Sequence, residues 1–296
     1  MSELISITVG ALLEKVAKMY PDDQAVKYTD RPFNMTWRQF DDEVNRIAKG
    51  FLAMGIRKGD HVAIWATNVP EWLLTLFATA KIGAVLVTHE HTDHVSGLRV
   101  LLKKLGVPLY ATPEVLERLR WDGVLVPGQE AHPVEPGTRL TVGSLEIDSF
   151  DTPHDSAHSV GYRIRTPDGR RLAVATDMGY ISENVAQMLR GCDLVMLESN
   201  YEPGMLSACD YPYYLKRRIA SNTGHLSNEV CAQELIELVR TGSTRFVLGH
   251  LSQNSNTPEN AYQASYCALT AGGMREGIDF TLTVASRSGP SEMVVL

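Results

Sequence analysis

The sequence has few cysteines, no excess of basic residues and no long apolar run. Its four cysteines, Cys192, Cys209, Cys231 and Cys267, form no CxxC pair. This spacing argues against a zinc ribbon or a disulfide framework and predicts a protein of the reducing cytoplasm. The N-terminus lacks the pattern of a signal peptide, and no stretch is apolar enough to span a bilayer, so we expect no membrane partner.

Positive charge is also scarce. The 28 Lys and Arg residues are outnumbered by 35 Asp and Glu residues, which gives a formal net charge of −7. A chain with this balance has no global basic field, so a nucleic-acid partner would have to bind at a local basic patch. No linker, low-complexity tract or internal repeat interrupts the chain, so any change of domain must fall inside a secondary-structure element.

Hydrophobic periodicity predicts alternating helices and strands in the first third of the chain. An amphipathic helix covers residues 8–19 and a strand covers residues 24–29. A second helix begins after Thr36, which forms a capping-box pattern with Gln39, and it ends at Gly55. Further strands are predicted at 59–68 and 84–88, with a helix from Pro70 between them.

Short strands dominate the remainder of the chain. The PDG sequence at 167–169 predicts a hairpin turn between two of them. The predicted strands are 107–112, 138–142, 144–150, 160–165, 170–176, 193–199 and 245–250, and the predicted helices are 183–191 and 228–242, with a further helix ending at 106.

The densest chemical signal is the sequence THEHTDH at residues 88–94. It brings together three of the nine histidines and one aspartate, which argues against a polar loop with chance histidines. On a loop that leaves a strand, His89 and His91 can turn two imidazoles onto one metal, while Asp93 and His94 face a second. Zinc favours such nitrogen and carboxylate ligands and leaves a position for water.

Three later segments supply the ligands that this motif lacks. His154 lies in TPHDSAH after a predicted strand, and His250 lies at the end of an apolar strand in VLGH. Asp177, in AVATDMG, also ends a strand, and its two carboxylate oxygens suit a position between two metals.

Residues 1–87 resemble a different class of protein. The string TWRQFDDEVNRIAKGFLAMGIRKGDHVAIWATNVPEWLLTLFATAKIGAVLV is similar to the N-terminal portion of acyl-CoA synthetases and related AMP-forming adenylating enzymes. Their ATP-binding loop, a Ser/Thr/Gly-rich run followed by Pro-Lys, occurs nowhere in the chain. The resemblance therefore implies a scaffold fragment of an AMP-binding protein, without adenylate-forming ligase activity and without a nucleotide-cofactor site.

Residues 88–296 resemble metallo-β-lactamase-fold hydrolases, and within them the YycJ/WalJ-like group. The resemblance is carried by THEHTDH, PHDSAHSVGY, ATDMGY, CDLVMLESN, YPYYLKRRIASNTGHLSN and LGHLSQNSNTPE, in that order. It implies an α/β fold of the αββα sandwich type and a metal-dependent hydrolase. It also implies two Zn²⁺ ions, with Mn²⁺ or Fe²⁺ as alternatives, that share a hydroxide.

The resemblance assigns a role to each candidate ligand. One metal would be held by His89, His91 and His154, and the other by Asp93, His94 and His250, with Asp177 bridging the two. The catalytic residues would be Asp93 and Asp177, with Asp93 orienting the attacking hydroxide.

Substrate contacts are predicted from four further residues. His225 lies just before a predicted helix and could contact a phosphate or the leaving group, although a capping loop is an equal alternative. Lys216, Arg217 and Arg218 stand beside three tyrosines and form the best local patch for a phosphate backbone, while a solvated helix face is the more common meaning of such a run. His158 is expected to be structural or to support a ligand, and His61 and His132 to lie at the surface.

The chain also departs from the family. It lacks the strands that normally precede the HxHxDH loop, so we expect a chimera joined at Val85–Thr88, in which the N-terminal elements cover the sheet as surrogates. Three functions remain open: a phosphodiesterase or exonuclease acting on nucleic acid, a small ester or thioester hydrolase using the same site, and a non-catalytic metal-binding remnant. The oligomeric state is not predicted.

Overall fold

The computed structural model describes residues 9–27, 34–53, 85–105, 108–142 and 145–286. The predicted strand at 59–68, the helix from Pro70 and His61 lie outside these ranges. Among the described helices, none combines the length and apolarity that crossing a bilayer requires.

The N-terminal segment consists of two helices and a strand pair. Its elements are α1 (Val9–Met19), β1 (Gln24–Lys27), β2 (Asn34–Thr36) and α2 (Trp37–Ala53). The two strands pair in antiparallel fashion. The predicted capping box is confirmed, because the backbone N–H of Thr36 donates to Gln39 Oε1 at 3.0 Å and the N–H of Gln39 donates to Thr36 Oγ1 at 3.3 Å.

A small parallel sheet follows. Its strands are β3 (Val85–Leu86), β4 (Leu109–Ala111) and β5 (Ala131–Pro133), and the intervening chain forms α3 (Thr92–Val95), α4 (Leu98–Leu105) and α5 (Pro113–Trp121). Within the described ranges β3 is an edge strand of this sheet, in line with the missing first strands. The sheet positions the loop after β3, which carries the THEHTDH motif.

The N-terminal segment shares a hydrophobic core with the small sheet. Leu13 of α1 and Phe40 and Val44 of α2 are buried in one cluster with Leu109 of β4 and Leu116 of α5. Complete burial of such a side chain contributes about 1.5–3 kcal/mol. Because whole domains are stable by only about 5–15 kcal/mol, this contact is large enough to affect folding of the hydrolase part.

The large sheet contains seven strands in the order β12-β11-β10-β9-β8-β7-β6. Strands β9 to β12 run parallel, and β6 to β9 pair in antiparallel fashion. The predicted hairpin at 167–169 is confirmed, with Gly169 at φ +89° and its N–H donating to the carbonyl of Thr166 at 2.9 Å. The strands are β6 (Arg139–Val142), β7 (Leu145–Asp151), β8 (Val160–Arg165), β9 (Arg171–Ala175), β10 (Leu194–Glu198), β11 (Arg245–Gly249) and β12 (Thr281–Val284).

Helices cover the parallel half of this sheet. Leu189, Leu235 and Leu269 of three helices pack in one buried cluster with Leu197 of β10 and Phe246 of β11. The helices of this half are α6 (Glu183–Leu189), α7 (Pro203–Ala208), α8 (Tyr213–Ile219), α9 (Asn228–Arg240) and α10 (Pro258–Ala271).

The two sheets are in direct contact. The buried hydroxyl of Tyr162 on β8 donates to the carbonyl of Val87 at 2.8 Å, and Leu86 of β3 packs against Ile147 and Val160 of the large sheet. Helix, sheet, sheet and helix therefore follow one another, as the αββα prediction requires. The loop after β3 is thereby held against the ends of the large-sheet strands.

Candidate metal centre

The candidate ligands converge at one edge of the two sheets. The motif of residues 89–94 follows β3, His154 follows β7, Asp177 follows β9 and His250 follows β11. Carboxyl ends of parallel strands meet at a common edge, which explains how residues far apart in sequence come together. Asp177 (φ 60°) and His250 (φ 56°) adopt a left-handed backbone that costs non-glycine residues of order 1–3 kcal/mol, a strain that accumulates at functional sites.

Three histidines form the first ligand group. Nitrogens of His89, His91 and His154 all lie within 4.8 Å of one another. His154 Nδ1 lies 3.0 Å from the carbonyl oxygen of Gly224, which can only accept, so Nδ1 carries the proton and Nε2 keeps its lone pair. Burial lowers the pKa of His89 to about 2 and also lowers that of His154, which keeps both rings neutral.

Asp93, His94, Asp177 and His250 form the second group, again with ligand atoms within 4.8 Å of one another. His250 Nε2 lies 3.3 Å from Asp93 Oδ2 and 3.4 Å from Asp177 Oδ1. Burial by itself would raise the pKa of Asp177, but His250 and His94 hold it well below its usual range. Asp177 Oδ1 is also 3.8 Å from His154 Nε2, so this carboxylate lies between the two groups.

The side chains fit divalent cations. His89 Nε2 is buried without a hydrogen-bond partner, and the buried Asp177 Oδ2 lies 3.2 Å from His94 Nε2. Buried polar atoms are rarely left in this state unless an ion or water completes them. Imidazole nitrogens and carboxylate oxygens are the donors that zinc binds in catalytic sites.

Glu198, at the end of β10, was missed by the sequence reasoning. It is fully buried, and its Oε1 lies 2.7 Å from His225 Nδ1 and 2.8 Å from His250 Nδ1. Burial would raise the pKa of Glu198, but the charges and hydrogen bonds of His225 and His250 lower it. Its Oε2 accepts the N–H of Met178 at 3.0 Å. The carboxylate thus fixes both imidazoles through Nδ1, which leaves Nε2 of each ring on the side away from Glu198.

A cleft of about 590 Å³ opens over the ligand groups. Asp93 and His225 are in its wall, together with Arg118 of α5 and Arg218 of α8. Arg218 forms a two-pronged ion pair with Asp155, with Nη2 2.7 Å from Oδ1. The cleft therefore combines the candidate ligands with two guanidinium groups.

The predicted basic run of α8 divides between the cleft and the outer surface. Only Arg218 lines the cleft, whereas Lys216 Nζ donates to the carbonyl of Ser207 at 2.7 Å and the guanidinium of Arg217 lies 6.0 Å from the ring centre of Tyr213. Successive helical residues point about 100° apart, so three adjacent residues cannot share one face.

Two other histidines lie outside the centre. His158 contacts Glu114 and Asp151, and His132 contacts Glu130 and stacks on Tyr110. His132 is partly exposed, in line with a surface residue, and the carboxylates that His158 contacts belong to neither ligand group, which favours the structural one of its two expected roles.

Comparison with known proteins gives matches of two kinds. Residues 70–251 match the family described as Beta-lactamase superfamily domain. Exodeoxyribonuclease WalJ of Streptococcus pneumoniae is 34% identical over 200 residues, which cover 67% of this chain and 74% of WalJ. The putative acyl-CoA synthetase YngI of Bacillus subtilis is 55% identical over 104 residues, which cover 35% of this chain and 19% of YngI.

The fold has a counterpart among solved structures. The metallo-beta-lactamase fold protein YhfI of Bacillus subtilis superposes with a TM-score of 0.56 at 19% identity, covering 76% of this chain and 84% of that one. This likeness confirms the predicted fold, and the curated relatives confirm both predicted resemblances. The chain is therefore similar to a hydrolase family and to a fragment of the acyl-CoA synthetases.

Proposed function

This chain belongs to the beta-lactamase superfamily and is a metal-dependent hydrolase, and we propose that it cleaves phosphodiester bonds in nucleic acid with a dinuclear metal centre. The observation that supports this proposal is the convergence of the three-histidine group and the Asp93–His94–His250 group on Asp177. The WalJ relative, described as an exodeoxyribonuclease, favours nucleic acid as the substrate and removal of nucleotides from an end.

We assign the two ligand groups to two cations. In this assignment His89, His91 and His154 would hold one ion and Asp93, His94 and His250 would hold the other, with Asp177 as a ligand placed between the two groups. Zn²⁺ is the first choice because it prefers these donors, and Mn²⁺ or Fe²⁺ are alternatives. When bound, the two cations would lower the pKa of water enough to give hydroxide near neutral pH, and they would polarise the phosphoryl oxygens.

The protein's own side chains position the reactants. The side chain of Asp93 is 57% exposed, so it can accept a hydrogen bond from the attacking water in the cleft. Attack on phosphorus breaks the bond to the leaving oxygen, and His225, whose Nδ1 is held by Glu198, contacts that oxygen or the phosphate through Nε2. Arg218 provides positive charge beside the scissile group.

The two parts of the chain are proposed to meet between residues 87 and 88. In this proposal residues 1–87 are the synthetase-like segment and residues 88–296 are the hydrolase domain, although the family match itself begins at residue 70. The free cysteines favour a reducing compartment, so we propose a cytoplasmic location.

Hydrolysis of a small ester or thioester is the second candidate function. The cleft volume is within the range of about 300–1,000 Å³ that holds small molecules, and the net charge of −7 disfavours a polyanion. A metal-binding remnant without activity would arise if the join had disturbed the cleft.

Substrate assays discriminate among these three functions. Zinc-loaded protein is incubated with end-labelled DNA oligonucleotides and, separately, with an aryl ester and an aryl thioester. We expect oligonucleotides to be shortened and the activity to be lost in Asp93→Asn. Ester hydrolysis without cleavage of DNA would refute the nuclease, and a metal-loaded protein inactive on every substrate would indicate the remnant.

A further inference from the structure

Two helices that each supply an arginine to the cleft also carry an exposed aromatic residue. On α5, Arg118 lines the cleft, and Trp121, one helical turn later, is 84% exposed. On α8, Arg218 lines the cleft, and Tyr214, four residues earlier, is 74% exposed. Residues three or four apart are neighbours on a helix surface, so each arginine has a large exposed ring beside it.

Both guanidinium groups are held in place by carboxylates. Arg118 Nε donates to Asp122 Oδ2 at 2.8 Å, and Arg218 is paired with Asp155. Their side chains nevertheless stay 54% and 45% exposed. A guanidinium that is oriented but still accessible can contact a phosphate with little loss of side-chain entropy.

Trp121 and Tyr214 are large aromatic side chains that are exposed to solvent. They offer flat apolar faces on which unpaired bases stack, and this stacking tolerates any base. Bases inside a duplex are already stacked on their neighbours and do not offer that contact. The arrangement of an arginine next to an exposed ring, repeated on two helices, therefore matches single-stranded nucleic acid.

We propose that the cleft binds a single nucleic-acid strand, with its phosphates on Arg118 and Arg218 and its bases stacked on Tyr214 and Trp121. This inference rests on the proposed function and specifies the form of its substrate. The strand passes between α5 and α8, so that a phosphate reaches the metal centre. A duplex would have to be frayed before it could bind in this way.

The chain contains matched controls for each contact. Arg120 is an exposed arginine on α5 that does not line the cleft, and Arg217 on α8 lies against Tyr213 on a different face from Arg218. Replacing Arg120 or Arg217 removes the same charge as replacing Arg118 or Arg218. A comparison of the two pairs of variants therefore distinguishes a direct phosphate contact from the general electrostatic field of the protein.

The test measures binding instead of cleavage. A fluorescein-labelled oligodeoxythymidylate of about 12 nucleotides, with phosphorothioate linkages that resist hydrolysis, is titrated with zinc-loaded protein from about 50 to about 200 mM salt. A duplex of the same length is measured in parallel. Thermal melts of every variant identify any that fail to fold.

We expect the single strand to bind more tightly than the duplex. Arg118→Gln and Arg218→Gln should each reduce the slope of log affinity against log salt by about 0.7. Tyr214→Ala and Trp121→Ala should weaken binding about five-fold or more without changing that slope, and Tyr214→Phe should retain binding. Arg120→Gln and Arg217→Gln should leave the slope unchanged.

Three outcomes would overturn the inference, and they differ in what they say about the proposed function. If the duplex binds as tightly as the single strand while DNA is still cleaved, only the inference fails. The same holds if Arg120→Gln and Arg217→Gln change the slope as much as the cleft variants do. If neither oligonucleotide binds and DNA is not cleaved, the inference and the proposed function fail together.

Discussion

The Oε1 atom of Glu198, a fully buried residue, lies 2.8 Å from Nδ1 of His250. The same oxygen lies 2.7 Å from Nδ1 of His225. One carboxylate therefore fixes the orientation of a proposed metal ligand and of a proposed substrate contact, and Glu198 links the two roles.

Replacing Glu198 by glutamine should weaken metal binding. An amide cannot accept hydrogen bonds from both imidazoles as strongly as a carboxylate, and loss of such a supporting contact typically costs about 10–100-fold in metal affinity. Competition with a chelator measures this, and Glu183→Gln, an exposed acid on α6, is the control. An unchanged affinity in Glu198→Gln would show that the ligand geometry does not depend on this contact.

His158 should make stability depend on pH. It lies between Asp151 (2.7 Å) and Glu114 (3.0 Å), and although burial lowers its pKa, these two carboxylates raise it overall. Because the pKa of His158 is higher in the folded state, the protonated imidazole stabilises the folded protein. This stabilisation is complete below the pKa of histidine in the unfolded chain, about 6.5, and is lost as the pH rises through the pKa of His158 in the folded protein. Because the pair is largely exposed, the effect should stay below about 1 kcal/mol.

Thermal melts of wild type and His158→Asn between pH 6 and pH 9 test this expectation. The difference in Tm should be largest at pH 6 and shrink toward pH 9. His132→Asn, which removes an exposed histidine paired with Glu130, is the control. A difference that grows with pH would have the wrong sign and would exclude the ion pair as its cause.

The N-terminal segment should be required for a stable hydrolase part. Phe40 of α2 is only 1% exposed in the core shared with the small sheet, so Phe40→Ala should cost about 3–5 kcal/mol. Met19→Ala, at the exposed end of α1, should cost little. Denaturant unfolding measures both changes.

Limited proteolysis gives an independent check of the same contact. If protease releases the N-terminal segment and leaves residues 88–296 compact and resistant, the segment is not a surrogate for the missing strands. Protection of both parts in wild type, and their joint digestion in Phe40→Ala, is the expected result.

Local signals in the sequence were sufficient for the ligand motif and the capping box. His89, His91, Asp93 and His94 lie within six residues, so their proximity follows from spacing alone. Glu198 could not be found in this way, because its histidine partners are 27 and 52 residues further along the chain. The sequence signal for Glu198 is an acidic residue at the end of an apolar strand, in the segment DLVMLES.

Helix α10 shows a second limit of the sequence reasoning. Its buried face includes Ala261, Ser265 and Leu269. Because Ala261 is small and Ser265 is polar, the helical repeat of hydrophobic residues in the sequence is weak. The start signal was nevertheless present, since Thr257 caps the helix by accepting from the N–H of Asn260 and Pro258 follows it. The sequence analysis did not predict this helix, and capping chemistry would have been a better guide to it than periodicity.

The central claim is that two ligand groups share Asp177, and zinc content tests it most directly. Elemental analysis of purified wild-type protein should give about two zinc ions per chain. Asp177→Ala and His91→Ala should each lose zinc, while His132→Ala should retain it. Wild-type protein without bound zinc, or full retention in Asp177→Ala, would contradict the account.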